Sequence, residues 1–150
     1  MTDFHETTVR VRYVETDQMG VVYHSNFFVW FEIGRVELFR ELGVVYKDME
    51  EKDDCFIVVG ECKCRFKRPA RYDDLLRVRT RIAEAGSRKI TFEYEIMNAE
   101  SGELLATGET VHVICDKLGR SKSLPDAYKK LFGARKHAEA PVAAASHSHK

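Results

Sequence analysis

The sequence lacks any long apolar run. No stretch of its 150 residues approaches the roughly 20 consecutive apolar residues that a membrane-spanning helix needs. The first twenty residues are dense in charge and contain no apolar core of a signal peptide. These absences predict a cytoplasmic protein without a membrane span.

An excess of charge of one sign is also missing. Lys and Arg together number 24, as do Asp and Glu, which gives a formal net charge of +0. A protein that binds nucleic acid through overall positive charge is therefore not expected, although a local basic patch is not excluded. Hydrophobic residues make up 44% and charged residues 32%, which excludes collagen-like and disordered classes. The length is that of one ordinary domain.

Cysteine is scarce, and its four positions suggest no special chemistry. Without a secretion signal, Cys55, Cys62, Cys64 and Cys115 are expected to be reduced. Cys62 and Cys64 are two residues apart in one predicted strand, which is a poor geometry for a disulfide. No second ligand pair with metal-site spacing is evident. The sequence therefore predicts structural thiols and no metal site at these cysteines.

The strongest pattern that is present predicts a buried helix over Asn26–Gly43. Its first half is apolar on nearly every side, as in a helix that is surrounded by protein. Ser25 or Asn26 is suited to cap its start, and Gly43 is suited to the position just after its end.

Strand patterns make up most of the remaining chain. They cover residues 8–14, 55–70, 75–85, 88–99 and 104–116. The short connections Ala85–Ser87 and Glu100–Gly102 predict antiparallel hairpins. Because one helix cannot cover both faces of such a sheet, we expect a curved sheet wrapped around the helix, an α+β architecture. Self-association would protect the remaining edge or face, so an oligomer is expected.

The segments outside this helix and these strands are less regular. Residues 44–54 form an acidic connector, and Pro125–Phe132 predicts a short terminal helix. The Ala-, Ser- and His-rich segment Arg135–Lys150 has the composition of a disordered tail. The expected organisation is one domain over residues 1–134, followed by that tail.

The segment Thr16–Asn26 carries the candidate chemistry. Gly20 permits a sharp reversal after Asp17, and Tyr23 and His24 lead into the helix. Free N–H groups at a helix start favour the negative charge that develops on a carbonyl oxygen. A carboxylate seven residues upstream of His24 is suited to attack a carbonyl or to activate water. The alternative is that Asp17 only caps its own turn and that His24 is a surface or capping residue.

Glu32 is a second carboxylate of interest because it lies in an apolar stretch. Such a group must be paired, hydrogen-bonded or functional. The favoured interpretation is an ion pair with Arg35 or another nearby base.

The segment Tyr13–Gly43 resembles the opening of hot-dog-fold acyl-CoA thioesterases of the 4-hydroxybenzoyl-CoA thioesterase family. The nearest match is the subgroup associated with the bacterial Tol–Pal system, and the likeness covers roughly residues 7–132. The positions in step with the family pattern are Thr16, Asp17, Gly20, Val22, Tyr23, His24, Asn26, Phe31, Glu32 and Arg35. Many relatives have Gly or Ala where Met19 stands, so the surface of this loop is expected to differ.

The resemblance implies roles for particular residues. Asp17 would be the catalytic nucleophile or general base, and the backbone N–H of His24 would polarise the thioester carbonyl. Tyr23 and the His24 side chain would shape the site. The resemblance also implies a homodimer with a continuous sheet, commonly paired into a homotetramer, with active sites at the subunit interface. It implies no metal or redox cofactor.

A local basic patch suits the phosphates of coenzyme A. Ten basic and four acidic side chains lie between Glu61 and Lys89. Arg77, Arg79 and Arg81 alternate with Val78, Thr80 and Ile82, so they are expected on the solvent face of a strand. The predicted phosphate contacts lie instead at strand ends or turns. These contacts are Lys67, Arg68, Arg88 and Lys89.

The predicted function is hydrolysis of an acyl- or aroyl-CoA thioester to a carboxylate and free coenzyme A. A thioesterase that acts on acyl carrier protein is the near alternative, because the same chemistry works on a pantetheine arm. A hot-dog protein without activity, which binds acyl groups or a protein partner, is the alternative from another class. The presence of Asp17 argues against that last interpretation.

Overall fold

A computed structural model describes residues 4–145 of the chain, with side chains for residues 4–135. The elements in chain order are β1 (His5–Arg10), a short 3₁₀ helix (Tyr13–Glu15), α1 (Asn26–Glu41), α2 (Tyr46–Asp53), β2 (Phe56–Phe66), β3 (Leu75–Ala85), β4 (Lys89–Asn98), β5 (Leu104–Cys115) and α3 (Asp126–Ala145). The five strands form one antiparallel sheet in the order β1-β3-β4-β5-β2. The α+β class predicted from the sequence is confirmed.

The sheet contains the two predicted hairpins, β3–β4 and β4–β5. The strand β2 pairs with β5 rather than with β3, which follows it in the chain. It is therefore one edge of the sheet, and β1 is the other. No residue of β2 is buried in the protomer, so this strand contributes little to the core.

The helix α1 packs along one face of the sheet through aromatic contacts. The Phe31 ring stacks on Tyr94 of β4 with ring centroids 4.2 Å apart, and Phe39 meets Phe92 at 5.7 Å. Gly108 of β5 leaves room for Phe31, because a Cβ there would overlap the ring. Gly43 follows the helix with φ +82°, as its capping role predicted. Ser25 precedes the helix, but its side chain makes no capping hydrogen bond.

The predicted pairing of Glu32 with Arg35 is wrong. Glu32 is exposed, whereas Arg35 is 8% exposed, and it has no ion pair among the described residues. Its Nη1 donates instead to the Tyr94 hydroxyl at 3.1 Å. The reason is helical periodicity: Arg35 lies four residues after the buried Phe31 and falls within the same buried stripe.

The strand arginines lie as predicted, on the face of β3 opposite the core. They alternate with the buried residues Val78, Thr80 and Ile82. Their ion pairs are Arg77–Glu6, Arg79–Glu6, Arg79–Glu95 and Arg81–Glu93. These pairs engage three of the ten basic side chains between Glu61 and Lys89.

Two helices differ from the sequence prediction. The acidic connector contains α2, which is anchored by the fully buried Met49. The terminal helix α3 continues past Phe132 to Ala145, so the backbone of residues 135–145 is helical where a disordered tail was predicted. Residues 146–150 of the predicted tail lie outside the described residues, and the domain boundary after residue 134 stays a prediction.

All four cysteines are free thiols, and Cys55 and Cys115 are buried. Of the helices described, none has the length and apolar character to cross a membrane.

Candidate active site

The loop between β1 and α1 folds back on itself at Asp17. The Asp17 N–H donates to the Val21 carbonyl and Gly20 donates to the Asp17 carbonyl, each at 2.9 Å. The Asp17 Oδ1 accepts the N–H groups of Met19 at 2.9 Å and Val21 at 3.4 Å. Gly20 has φ +82°, which few residues other than glycine adopt. Asp17 therefore does cap its own turn, and it does so with one carboxylate oxygen while the side chain stays exposed.

Both ends of this loop are held by Glu15. Its buried carboxylate accepts the Arg12 backbone N–H at 2.7 Å and the Arg12 guanidinium at 3.1 Å. Its carbonyl oxygen accepts the Tyr23 N–H at 2.8 Å and the Asn26 side-chain amide at 3.0 Å. The position of Asp17 relative to the start of α1 is thereby fixed. Glu15 was not predicted as a site residue, because a carboxylate before a turn gives no sign in the sequence that it is buried.

The start of α1 offers an N–H group at His24. The carbonyl groups of Tyr23, His24 and Ser25 accept the first N–H groups of the helix, at 3.0 to 3.2 Å. Within residues 4–145 the His24 N–H has no hydrogen-bond acceptor. The partial positive charge of a helix start and a free N–H together favour an oxyanion at this point.

A groove of about 330 Å³ opens beside His24. We call it the His24 cavity; its lining consists of Val22, His24, Phe27 and residues 66–70. The Phe66 ring lies 5.3 Å from Phe27 and 6.2 Å from His24 between ring centroids, and Phe66 is 49% exposed. The Tyr23 ring packs against His24 at 4.4 Å. The groove thus has apolar walls next to the His24 N–H.

Two of the four predicted phosphate contacts line this groove, Lys67 and Arg68. Both are exposed, and the Arg68 Nε lies 3.2 Å from an oxygen of Glu103. The other two, Arg88 and Lys89, lie at the opposite end of the sheet. Phe66 is opposite Ala106 on β5, whereas Lys89 is opposite Val113, and seven strand residues span about 24 Å. One protomer therefore does not bring the four cations together.

Beneath α1 lies a buried polar chain that the sequence analysis did not identify. The Tyr94 hydroxyl, bound to Arg35, also shares a hydrogen bond of 2.5 Å with Thr110. Thr110 Oγ1 is in turn 2.8 Å from Nε2 of His112. Burial lowers the pKa of His112 to about 3 and raises that of Tyr94 to about 12, so both side chains are neutral at pH 7.

Metal-ligating side chains do not cluster in the part of the chain that is described: no group of three or more His, Cys, Asp or Glu side chains is arranged to hold an ion. The groups that the site offers include the Asp17 carboxylate and the N–H group at the start of α1.

An antiparallel sheet packed around one long helix, with a carboxylate loop leading into that helix, defines a hot-dog protein. The chain belongs to the thioesterase-like superfamily, which matches residues 11–138. The predicted hot-dog fold and the predicted thioesterase class are thereby confirmed.

Named relatives cover most of the chain. It is 38% identical over 124 residues to the putative acyl-CoA thioesterase YneP of Bacillus subtilis, which covers 83% of this chain and 86% of that protein. It is 35% identical to the acyl-CoA thioesterase YbgC of Haemophilus influenzae, over 86% of this chain and 91% of that one. The crystal structure of a DHNA-CoA thioesterase from Staphylococcus aureus superposes with TM-score 0.78 at 32% identity, covering 98% of this chain and 95% of that one.

Proposed function

We propose that the chain hydrolyses acyl-CoA thioesters to the free carboxylate and coenzyme A. The observation that carries the proposal is the loop geometry: the Glu15–Asn26 bond joins the segment before Asp17 to the start of α1, where the His24 N–H has no acceptor among the described residues. A carboxylate and an oxyanion donor on one rigid loop are what acyl transfer needs. The likeness to named acyl-CoA thioesterases supports the same substrate class.

In the proposed reaction, the thioester carbonyl oxygen accepts the His24 N–H. Asp17 either attacks the carbonyl carbon, forming an anhydride that water then hydrolyses, or takes a proton from water as the water attacks. Each route passes through an oxyanion that the helix start stabilises, and an oxyanion donor of this kind contributes about 3 kcal/mol in a protease. On either route the C–S bond breaks as this oxyanion collapses, and the coenzyme A thiolate leaves and takes up a proton. On the nucleophilic route this collapse produces the anhydride, which water then hydrolyses to the free carboxylate while Asp17 is regenerated.

Asp17 is suited to either route because its second carboxylate oxygen is available. The turn uses Oδ1, and no hydrogen bond from a described residue reaches Oδ2. Tyr23 and the His24 ring would shape the entrance by packing against each other.

The His24 cavity suits the coenzyme A arm. Phe27 and Phe66 would pack along the pantetheine, and Lys67 and Arg68 would meet phosphate oxygens at its mouth. We do not extend this proposal to Arg88 and Lys89, since the sheet separates them from this groove and the Arg88 guanidinium donates to Ser121.

The proposal includes a cytoplasmic homodimer, assembled further into a homotetramer. The edge strand β2 has unpaired backbone groups on one side and exposes Val58 and Val59, each 45% exposed. A second copy paired at this edge would satisfy these backbone groups and extend the sheet. Sedimentation of the purified protein tests this, and a monomer at micromolar concentration would contradict it. The closer kinship with 4-hydroxybenzoyl-CoA thioesterases and with Tol–Pal-associated relatives is part of the same proposal.

The decisive experiment follows thiol release from short-chain, long-chain and aromatic CoA thioesters, with wild type and Asp17→Asn side by side. Asparagine keeps the Oδ1 acceptor of the turn but can neither attack nor take a proton. We expect a loss of about 10² to 10⁴ in turnover. Unchanged activity in the variant would remove Asp17 from the mechanism.

If none of the CoA thioesters in the panel releases thiol, acyl-CoA hydrolysis is contradicted. The same assay with acyl carrier protein thioesters then tests the near alternative. If these also release no thiol, a protein that binds acyl groups without catalysis is favoured.

A further inference from the structure

Arg35 is a buried cation without an anionic partner. Its side chain lies inside the α1 stripe, 8% exposed, and no carboxylate is within 4 Å among the described residues. The guanidinium donates to the Tyr94 hydroxyl, while Nε has no partner in the described part of the chain. That hydroxyl is neutral, because burial raises the pKa of Tyr94 to about 12. A buried charge is costly unless it is paired, so this position calls for an anion.

Beside Arg35 is space for such a group. A cavity of about 570 Å³ lies between α1, α2 and β2, and we call it the Arg35 cavity. Its lining includes Glu32, Arg35, Arg40, Lys47, Glu50 and Ile57. Glu32 and Glu50 are exposed and remain in contact with solvent, and Arg40 is already paired with Glu37. Arg35 also hydrogen-bonds the Tyr46 hydroxyl of α2, so its described partners are two phenol groups and it is the buried charge of this cavity.

The Arg35 cavity and the His24 cavity open between the same two elements. Phe66 at one end of β2 lines the His24 cavity, and Ile57 at the other end lines the Arg35 cavity. The nine helical steps from Asn26 to Arg35 rise about 14 Å. The two cavities therefore lie at opposite ends of one stretch of α1 and β2.

The side chains between the two cavities are apolar. Val29 on α1 and Val59 on β2 are 46% and 45% exposed. Val59 is opposite the buried His112 on β5, so it lies on the sheet face that α1 covers. An acyl chain that starts at the His24 N–H can follow these side chains toward Arg35.

We propose that Arg35 binds a carboxylate at the far end of an acyl chain, so that the enzyme prefers acyl groups carrying a second, terminal carboxylate. This inference rests on the proposed thioesterase function. A guanidinium binds a carboxylate through paired hydrogen bonds. The separation of about 14 Å along the helix then selects the chain length. An apolar groove without such a cation would instead reject a terminal charge.

The test uses pairs of CoA thioesters of equal carbon number, one with a terminal methyl group and one with a terminal carboxylate. For each length the measurement is the ratio of kcat/KM of the carboxylated substrate to that of the plain one. Wild type is expected to give a ratio of about ten or more at one chain length. Arg35→Met, of similar length but without charge, should bring the ratio to one or below. Arg40→Met is the matched control, because Arg40 is exposed and paired, and its ratio should stay within about twofold of wild type.

One outcome is that wild type releases thiol from the plain substrates and gives a ratio of one or below at every chain length. That result overturns this inference and leaves the proposed function standing. The same holds if Arg35→Met keeps the preference. If no substrate of either kind releases thiol, the proposed function fails and this inference fails with it.

Folding of Arg35→Met is checked by circular dichroism and gel filtration. If that variant does not fold, Glu32→Gln carries the test, since Glu32 is exposed and its charge opposes an anion in this cavity. The ratio should rise about two- to threefold. An unchanged or lower ratio would overturn the inference.

Discussion

Asp17 and Asp116 occupy the same position in two turns of the same geometry. In each turn Oδ1 accepts the N–H groups two and four residues later, and the glycine at the fourth position donates to the aspartate carbonyl at 2.9 Å. The two turns differ at the second carboxylate oxygen. Arg120 donates to Asp116 Oδ2 at 3.0 Å, whereas no described group reaches that oxygen of Asp17. The turn itself therefore does not mark a catalytic carboxylate; the free oxygen and the neighbouring helix start do.

This comparison supplies a matched pair of variants. Asp17→Asn and Asp116→Asn make the same isosteric change in the same kind of turn. We expect a loss of about 10² to 10⁴ in thiol release for the first and less than about twofold for the second, because Asp116 ends in an exposed ion pair. Equal losses would mean that both variants act through folding.

Asn26 is expected to be a positioning residue. Its side-chain amide donates to the carbonyl oxygens of Glu15 at 3.0 Å and Tyr23 at 3.3 Å, and so joins the Asp17 loop to the helix. Asn26→Ala should lower kcat about tenfold with little change in KM, because the carboxylate moves relative to the carbonyl while the binding groove stays. Ser25→Ala is the control, since the Ser25 side chain makes no capping bond. A rise in KM alone would show that Asn26 serves binding and not alignment.

Lys67 is expected to contact a coenzyme A phosphate, whereas Lys89 is not. Lys67→Ala should raise KM for a CoA thioester about three- to tenfold with kcat unchanged, and added salt should shrink the difference. Lys89→Ala should leave KM unchanged because it lies about 24 Å along the sheet. Equal effects would mean that the bound coenzyme A reaches both ends of the sheet.

Gly108 is expected to be required for packing. A Cβ there would overlap the Phe31 ring and lie 2.9 Å from the Lys63 carbonyl oxygen. Gly108→Ala should therefore lower the free energy of unfolding by about 1 to 3 kcal/mol in urea titrations. A Cβ at Gly133 in α3 would meet open space. Gly133→Ala should therefore raise the free energy of unfolding by about 0.5 to 1 kcal/mol. A neutral result at Gly108 would show that Phe31 can move aside.

Burial of His112 predicts a pH dependence of stability. Its pKa falls from 6.5 to about 3 in the folded chain, so between these values the unfolded chain binds more protons. The contribution is complete above pH 6.5 and is lost as the pH falls toward 3, at up to about 1.4 kcal/mol per pH unit. His112→Gln removes this titration. Its free energy of unfolding should fall less steeply than that of wild type between pH 7 and pH 5, and parallel curves would contradict the burial effect.

The sequence predicted the local elements of this fold well because their signals are local. Gly43 ends α1 where a left-handed residue was expected, and alternation located the strands of both hairpins. The pairing of β2 with β5 was not predictable in the same way. The alternation within a strand indicates which residues share a face, but it does not indicate which distant strand pairs with that strand.

The candidate site was predictable in part. Asp17, Tyr23 and His24 lie on one loop, as their order in the chain requires, and Tyr23 packs against His24; the role of Asp17 stays a prediction. Lys67 and Arg68 reach this loop because Val22 bonds to Ala70 across the fold, a contact that charge counting did not reveal. The predicted ion pair of Glu32 with Arg35 was wrong, since a helix that is apolar nearly all round does not indicate which side meets the sheet. Arg35 follows Phe31 by four residues, which was the one signal for its burial.

The exposure of β2 has a consequence for how such enzymes diversify. The strand forms one wall of both cavities, yet none of its residues belongs to the buried core of the protomer. With the acyl chain on this strand as proposed, substitutions on its inner face would alter the acyl preference at little cost in the folding free energy of the protomer. Mutational drift along this one strand is thus a route by which a lineage acquires new substrates while the catalytic loop and the aromatic core stay as they are.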